Sequence, residues 1–221
     1  MFQKYLDLSN SFFTLDYSLV IRMRLGTEIF QVNRSLKDPY TGCLLVSEPC
    51  LNEVYFQRSV ILLVDHDPLI GSMGLVLNKS SNLMLNTVIE GLENVPEIPV
   101  FCGGPMESDH LFYIHTLGRL VPGSIEIAEG LYIGGDIDVI LSYIRSGNTV
   151  EGHIKFFLGY SGWEAGQLID EIANIFWIVS EKVSPLFCIC GDGEQSWRKA
   201  VVDLGEDYKS WLKYPRLPIL N

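Results

Sequence analysis

The sequence places side chains capable of chemistry in a few separated spots. His66 stands between Asp65 and Asp67, the company of a metal ligand or general base. A second histidine, His115, lies in the run Phe112-Tyr-Ile-His-Thr116 and would join it if the fold brought the two together. The plainer reading of a lone histidine at a strand end is a hydrogen-bonded turn residue. In Gly159-Tyr160-Ser161-Gly162 a serine sits among glycines. A nucleophile elbow needs glycine two places on either side of the serine, and Trp163 fills the second place. Ser161-Gly162-Trp163-Glu164 instead spells a capping box, in which hydroxyl and carboxylate satisfy each other's backbone N–H groups at a helix start. Free N–H groups there attract anions, in competition with Glu164.

Arg58 precedes a continuous apolar stretch and is the candidate for a paired or functional cation. The expected partner is a carboxylate such as Glu48 or Glu171. Gly103-Gly104-Pro105 reads as a tight turn rather than a phosphate cradle, since neither a helix nor a lysine follows it. Gln167 and Glu171 lie one helical turn apart, and Gln167 near Trp163 could line a cleft. Cys188 and Cys190 flank Ile189 in Pro185-Leu-Phe-Cys-Ile-Cys190, a strand-like run that would put both sulfurs on one face. Zinc would need two further ligands at workable spacing, and the sequence offers none. Together with Cys43, Cys50 and Cys102 these make five cysteines, an odd number that reads as reduced thiols. No metal or cofactor is expected, and no catalytic residue is assigned. Arg58, His66, Asn78, Gly104, Trp163 and Gln167 come from separated motifs. Convergence on one concave pocket would make them a ligand-binding cleft.

The elements that must position these residues can be read from periodicity and turn chemistry. Residues 42–48 read as a strand ended by Pro49, and residues 59–65 as a second. The unbroken apolar character of the second predicts burial on both faces and a central place in a sheet. Residues 73–77 pair back on it as an antiparallel hairpin. Short strands are expected at 100–102 and 111–116, with extended segments over 125–133. Helices are expected over 83–92, from an Asp136 N-cap to Gly147, from Gly162 to Val179, and over 196–204 before Gly205. Strands and helices mix without regular alternation. This predicts a single α+β domain with a mixed or mostly antiparallel sheet.

Composition removes several functions. The chain has 221 residues, 48% hydrophobic and 19% charged, which excludes disorder as its main state. Its formal net charge is −11, and Arg119 is the one basic residue between positions 80 and 144, against a nucleic-acid coat. Direct DNA binding is not expected: the predicted 162–179 helix exposes Glu164, Asp170 and Glu171 and no lysine or arginine. No apolar run approaches the ~18 residues of a membrane span. The greasy first thirty residues are interrupted by Asp7 and Asp16 and lead to no small-residue cleavage site. A cytoplasmic location is therefore expected. Met23 offers an alternative start, placing residues 1–22 upstream of it, within an N-terminal extension over 1–39.

Over residues 40–221 the motifs also resemble a known family. Leu44-Leu-Val-Ser-Glu-Pro49, Phe56-Gln-Arg-Ser-Val-Ile-Leu-Leu63, His66, Gly74-Leu-Val-Leu-Asn78, Gly103-Gly104-Pro105, His115 and Gly159-Tyr-Ser-Gly-Trp-Glu-Ala-Gly-Gln-Leu168 come in the order of the AlgH-like family of bacterial proteins. Glu171, Trp177 and the stretch from Trp197 to Gly205 extend the resemblance, as does the closing Leu220-Asn221. The resemblance implies an α+β domain around a mixed, barrel-like sheet flanked by helices. Many members carry the label of transcriptional regulators, and no established reaction or ligand accompanies it. The expectation is a non-catalytic cytoplasmic binding or regulatory domain, acting through a protein or small-molecule partner. The alternative is a small-molecule sensor or an enzyme with a cleft near Arg58, His66 and Trp163.

Overall fold

Val60-Ile-Leu-Leu-Val64 is buried along its whole length, and the architecture is arranged around it. A computed structural model describes residues 36–51 and 53–215. They fall in one unit of the chain, from Leu36 onward. Most of the expected N-terminal extension, with the Met23 start, and the final Leu220-Asn221 lie outside the described residues.

Ten strands form one mixed, mainly antiparallel sheet. The first four are β1 (Leu44–Ser47), β2 (Val60–Asp67), β3 (Gly71–Val76) and β4 (Ser80–Met84). They are followed by β5 (Pro99–Cys102), β6 (Met106–His115), β7 (Ile125–Ala128) and β8 (Leu131–Ile133). The last two are β9 (Ile154–Glu164) and β10 (Trp177–Ser180). The order along the path is β10-β1-β2-β3-β9-β6-β8-β7, with β5 parallel to β9 and β4 antiparallel to β5. The expected β2–β3 hairpin is present, with a register shift between Leu63 and Asp65.

The path is open: β10 and β7 end it, so the barrel-like closure is not what the pairing gives. The sheet nevertheless curls. A Cβ on Gly42, just before β1, would stand 2.1 Å from the carbonyl oxygen of Ile127 in β7. Leu44, Leu131, Ile127 and Ile178 accordingly share one core.

Side chains of the central strands alternate between two cores, as a strand covered on both faces requires. Val60, Leu62 and Val64 face a core closed by α4 (Pro185–Cys190) and α5 (Gly193–Leu204), while Ile61 and Leu63 face one closed by α3 (Gln167–Ala173). A third core lies under α1 (Leu85–Val88) and α2 (Ile137–Arg145). As expected, α2 is capped by Asp136, which accepts from the Asp138 N–H at 2.9 Å.

Two expected elements are corrected. Pro185–Cys190 is a helix, not a strand: Pro185 occupies its first turn and Ser184 accepts from the Phe187 N–H. Proline there has the φ a helix needs, and an apolar run this short does not distinguish strand from helix. Cys188 and Cys190 therefore share no strand face; Cys188 is buried and Cys190 exposed. The second correction concerns residues 162–179. Ser161 to Glu164 continue β9, pairing with Gly74 to Gly71 of β3. Helix α3 starts only after Gly166, whose φ is +79°, and ends before Ile175, whose φ is +65°. Strand pairing of the glycine-rich segment overrides the capping-box pattern. Ser161 is buried and donates to the Gly103 carbonyl at 3.2 Å.

Candidate functional site

Five segments meet around Arg58. Glu53 to Gln57 form a single turn, with Phe56 and Gln57 N–H groups donating to the Glu53 carbonyl. Arg58 ends that turn at φ +52°, the left-handed position that usually goes to glycine. An arginine there costs on the order of 1–3 kcal/mol of backbone strain. Asn78, two residues past β3, holds the strained residue in place. Its Nδ2 donates to the Arg58 carbonyl at 2.9 Å and to the Gly193 carbonyl at 3.0 Å, and its Oδ1 accepts from the Val60 N–H at 2.9 Å.

The Arg58 side chain is buried, 7% exposed. Its Nη1 pairs with Glu194 in the first turn of α5 and its Nη2 donates to the Tyr214 carbonyl at 2.7 Å. The guanidinium lies 5.2 Å from the centre of the Trp197 ring, and the Trp197 indole donates to the Ser47 carbonyl. The expected ion pair thus exists, with Glu194 in place of Glu48 or Glu171. The Arg58 Nε has no hydrogen-bond partner, and three residues earlier the buried Tyr55 hydroxyl also lacks one. Arg58 also borders an open hollow of about 230 Å³, lined besides by Val54, Gln57, Lys79 and Glu194. Lys79 Nζ donates to the Gln57 carbonyl at 2.7 Å.

A second cluster lies between β9, α3 and β10. One Glu171 oxygen accepts from the Trp163 and Trp177 indoles at 2.8 and 2.7 Å; the other accepts from Gln167 at 2.8 Å. Gln167 in turn accepts from the Glu164 N–H. This carboxylate ties one short helix to two strands. The two indoles meet edge to face, centroids 6.1 Å apart.

The six expected site residues therefore divide. Arg58 and Asn78 are joined, and Arg58 lines the hollow. Trp163 and Gln167 are joined through Glu171. His66 is bonded to Ser72 Oγ at 2.7 Å, but as a strand residue of β2 directly opposite Ser72 of β3 and not in the turn expected of a lone histidine. Gly104 packs its backbone on Tyr160, where a Cβ would stand 1.9 Å from the Tyr160 carbonyl carbon. His115 has its Nε2 on the Gly134 carbonyl and accepts the Leu117 N–H at Nδ1; burial lowers its pKa. Val54, Lys79 and Glu194 lie in none of the motifs quoted above, and Gln57 lies in one without standing out from it. The one signal for Lys79 is its place directly after Asn78.

A family model described as AlgH-like matches residues 44–209. The chain belongs to the AlgH-like family. An AlgH-like relative from Bacteroides fragilis, a UPF0301 protein, is 45% identical over 199 residues, covering 90% of this chain and all of the relative. Another from Parabacteroides distasonis is 43% identical over 194 residues, covering 87% of this chain and 97% of the relative. The solution structure of the AlgH protein from Pseudomonas aeruginosa is 28% identical with a TM-score of 0.62, covering 82% of this chain and 98% of that one. A crystal structure from Corynebacterium diphtheriae, at 21% identity and a TM-score of 0.65, shares the fold; it covers 81% of this chain and 94% of that one. Among the described residues of this AlgH-like chain no helix is long and apolar enough to cross a membrane.

Proposed function

We propose that this AlgH-like chain is a non-catalytic binding domain acting in the cytoplasm, and that the hollow beside Arg58 is where it takes a small-molecule ligand. The observation that carries the reading is Arg58 itself: strained, buried, held by Asn78 and Glu194, and left with an unpartnered Nε. An unpartnered buried donor costs about 1–3 kcal/mol. Strain and an orphaned donor at one residue beside a concavity mark a binding site more readily than a scaffold position. The side chains with catalytic chemistry have structural duties: Ser161 is bonded to Gly103 and His115 to Gly134. Five unpaired cysteines suit a reducing compartment. A regulatory role would follow from ligand binding and needs no direct contact with DNA.

A thermal-shift screen of the full chain against a metabolite library tests this. A ligand that binds only the folded state raises the melting temperature. The expected result is at least one compound that stabilises the wild type and fails to stabilise Val54→Trp, which fills the hollow from an exposed position. Equal stabilisation of both proteins by every hit would overturn the assignment of the site.

A further inference from the structure

We infer that the ligand of the Arg58 hollow is a small organic anion presenting a carboxylate or phosphate group; the inference rests on the proposal that this hollow binds a small molecule. Two of the five lining residues, Arg58 and Lys79, are cations, and Gln57 adds an amide. Among the described lining residues Glu194 is the one carboxylate, engaged by Arg58 and, at 3.6 Å, by Arg198 Nη1, while Lys79 is held by the Gln57 carbonyl. The natural complement of a guanidinium and an ammonium on one lining is an acceptor-rich anion, bound more strongly than a neutral acceptor because both partners are charged.

The trough is too small for a drug-sized compound, whose pockets run to about 300–1,000 Å³. With about 230 Å³ and Val54 on its rim, it suits a metabolite with a short apolar portion. The local positive lining stands in a chain whose formal charge is −11. General electrostatic attraction therefore does not bring anions to this protein, and any anion affinity must come from such a local site.

Titration calorimetry at fixed ionic strength tests the inference, with citrate, glutamate and inorganic phosphate as anions, spermidine as a cation and adenosine as a neutral compound. The expected result is saturable binding of at least one anion, weakened tenfold or more in Arg58→Lys, which keeps the charge but loses the planar guanidinium fork. The same loss is expected in Val54→Trp, which guards against a folding defect at the buried position. Saturable binding of spermidine or adenosine, lost in Val54→Trp, with no anion bound, would overturn the anion class while leaving the binding proposal standing. Heat from anions that persists unchanged in both variants would overturn the inference as well. Silence of all five compounds, in a protein for which the metabolite screen also gives no hit, would remove both proposals.

Discussion

Replacing Glu171 with alanine removes one carboxylate and leaves two buried indoles without an acceptor. Trp163 and Trp177 are 7% and 2% exposed, and both donate to the same oxygen. A buried donor left unsatisfied costs about 1–3 kcal/mol, so two give roughly 2–6 kcal/mol, and we take about 3 as the expected loss. A small part returns through Glu53, whose carboxyl is raised first by burial and then by the nearby Glu171 charge. For a domain of this size about 1 kcal/mol shifts the midpoint by roughly 2–4 °C, so the variant should melt about 6–12 °C lower. Glu171→Gln keeps an oxygen for the indoles but loses the charge and turns an N–H₂ toward Gln167; it should cost about 1 kcal/mol. Urea denaturation followed by tryptophan fluorescence measures both. An alanine variant within about 1 kcal/mol of wild type, or a glutamine variant as costly as alanine, would show that the carboxylate does not hold the indoles in this way.

Gly104→Ala drives a Cβ into the Tyr160 backbone. It should cost about 4 kcal/mol or more, whereas Gly130→Ala, where the space is open and only the +70° φ is strained, should cost about 1–2 kcal/mol; melting curves of the pair check this. Ser161→Ala should cost about 1 kcal/mol by loss of its bond to Gly103, and hydrogen exchange should show the weakening at the Gly103–Ser161 junction and not in α3. Lys155 is buried over the Phe101 ring, with its ammonium on the Gly191 carbonyl. Burial lowers its pKa from 10.5 to about 8, partly opposed by Asp192, Cys188 and Cys190. Above pH 8 the unfolded chain binds more protons at this group, so its contribution rises with pH, by about 1 kcal/mol between pH 8 and 9. Over the same range the buried thiols Cys43 and Cys188, raised from 9.0 by burial to about 11 and about 12, act in the opposite direction, because the unfolded chain releases those protons first; together they offset about 0.7 kcal/mol of the rise. Denaturant titrations should therefore find the wild type nearly level between pH 8 and 9 and Lys155→Met losing about 0.7 kcal/mol over that range.

The sheet was legible where one period ruled. Val60 to Val64, followed directly by the turn chemistry of Asp65 to Gly71, read as a strand covered on both sides, and Asp136 with its apolar stripe as the start of a helix. The failures come where local pattern and long-range pairing compete. Ser161 to Glu164 has the composition of a capping box, yet β3 offers it a strand partner, and a glycine at 162 suits both conformations. Pro185 to Cys190 has an apolar run that either element accommodates. At the candidate site, Arg58 stood out by its place before β2, and Asn78 by its place just past the facing strand. Glu194 and Tyr214 did not, because they reach Arg58 across 136 and 156 positions of chain.

Whether the Arg58 hollow receives a ligand can be watched at the Arg58 side chain itself. In ¹H–¹⁵N spectra its Nε–H gives a resonance of its own, and the four tryptophan indoles give internal references. During titration with a hit from the thermal-shift screen, the Arg58 Nε–H and the Trp197 indole beneath it should shift and saturate together. The Trp163 and Trp177 indoles, held by Glu171, should stay in place. A ligand that saturates while the Arg58 Nε–H remains unmoved would be incompatible with binding in this hollow.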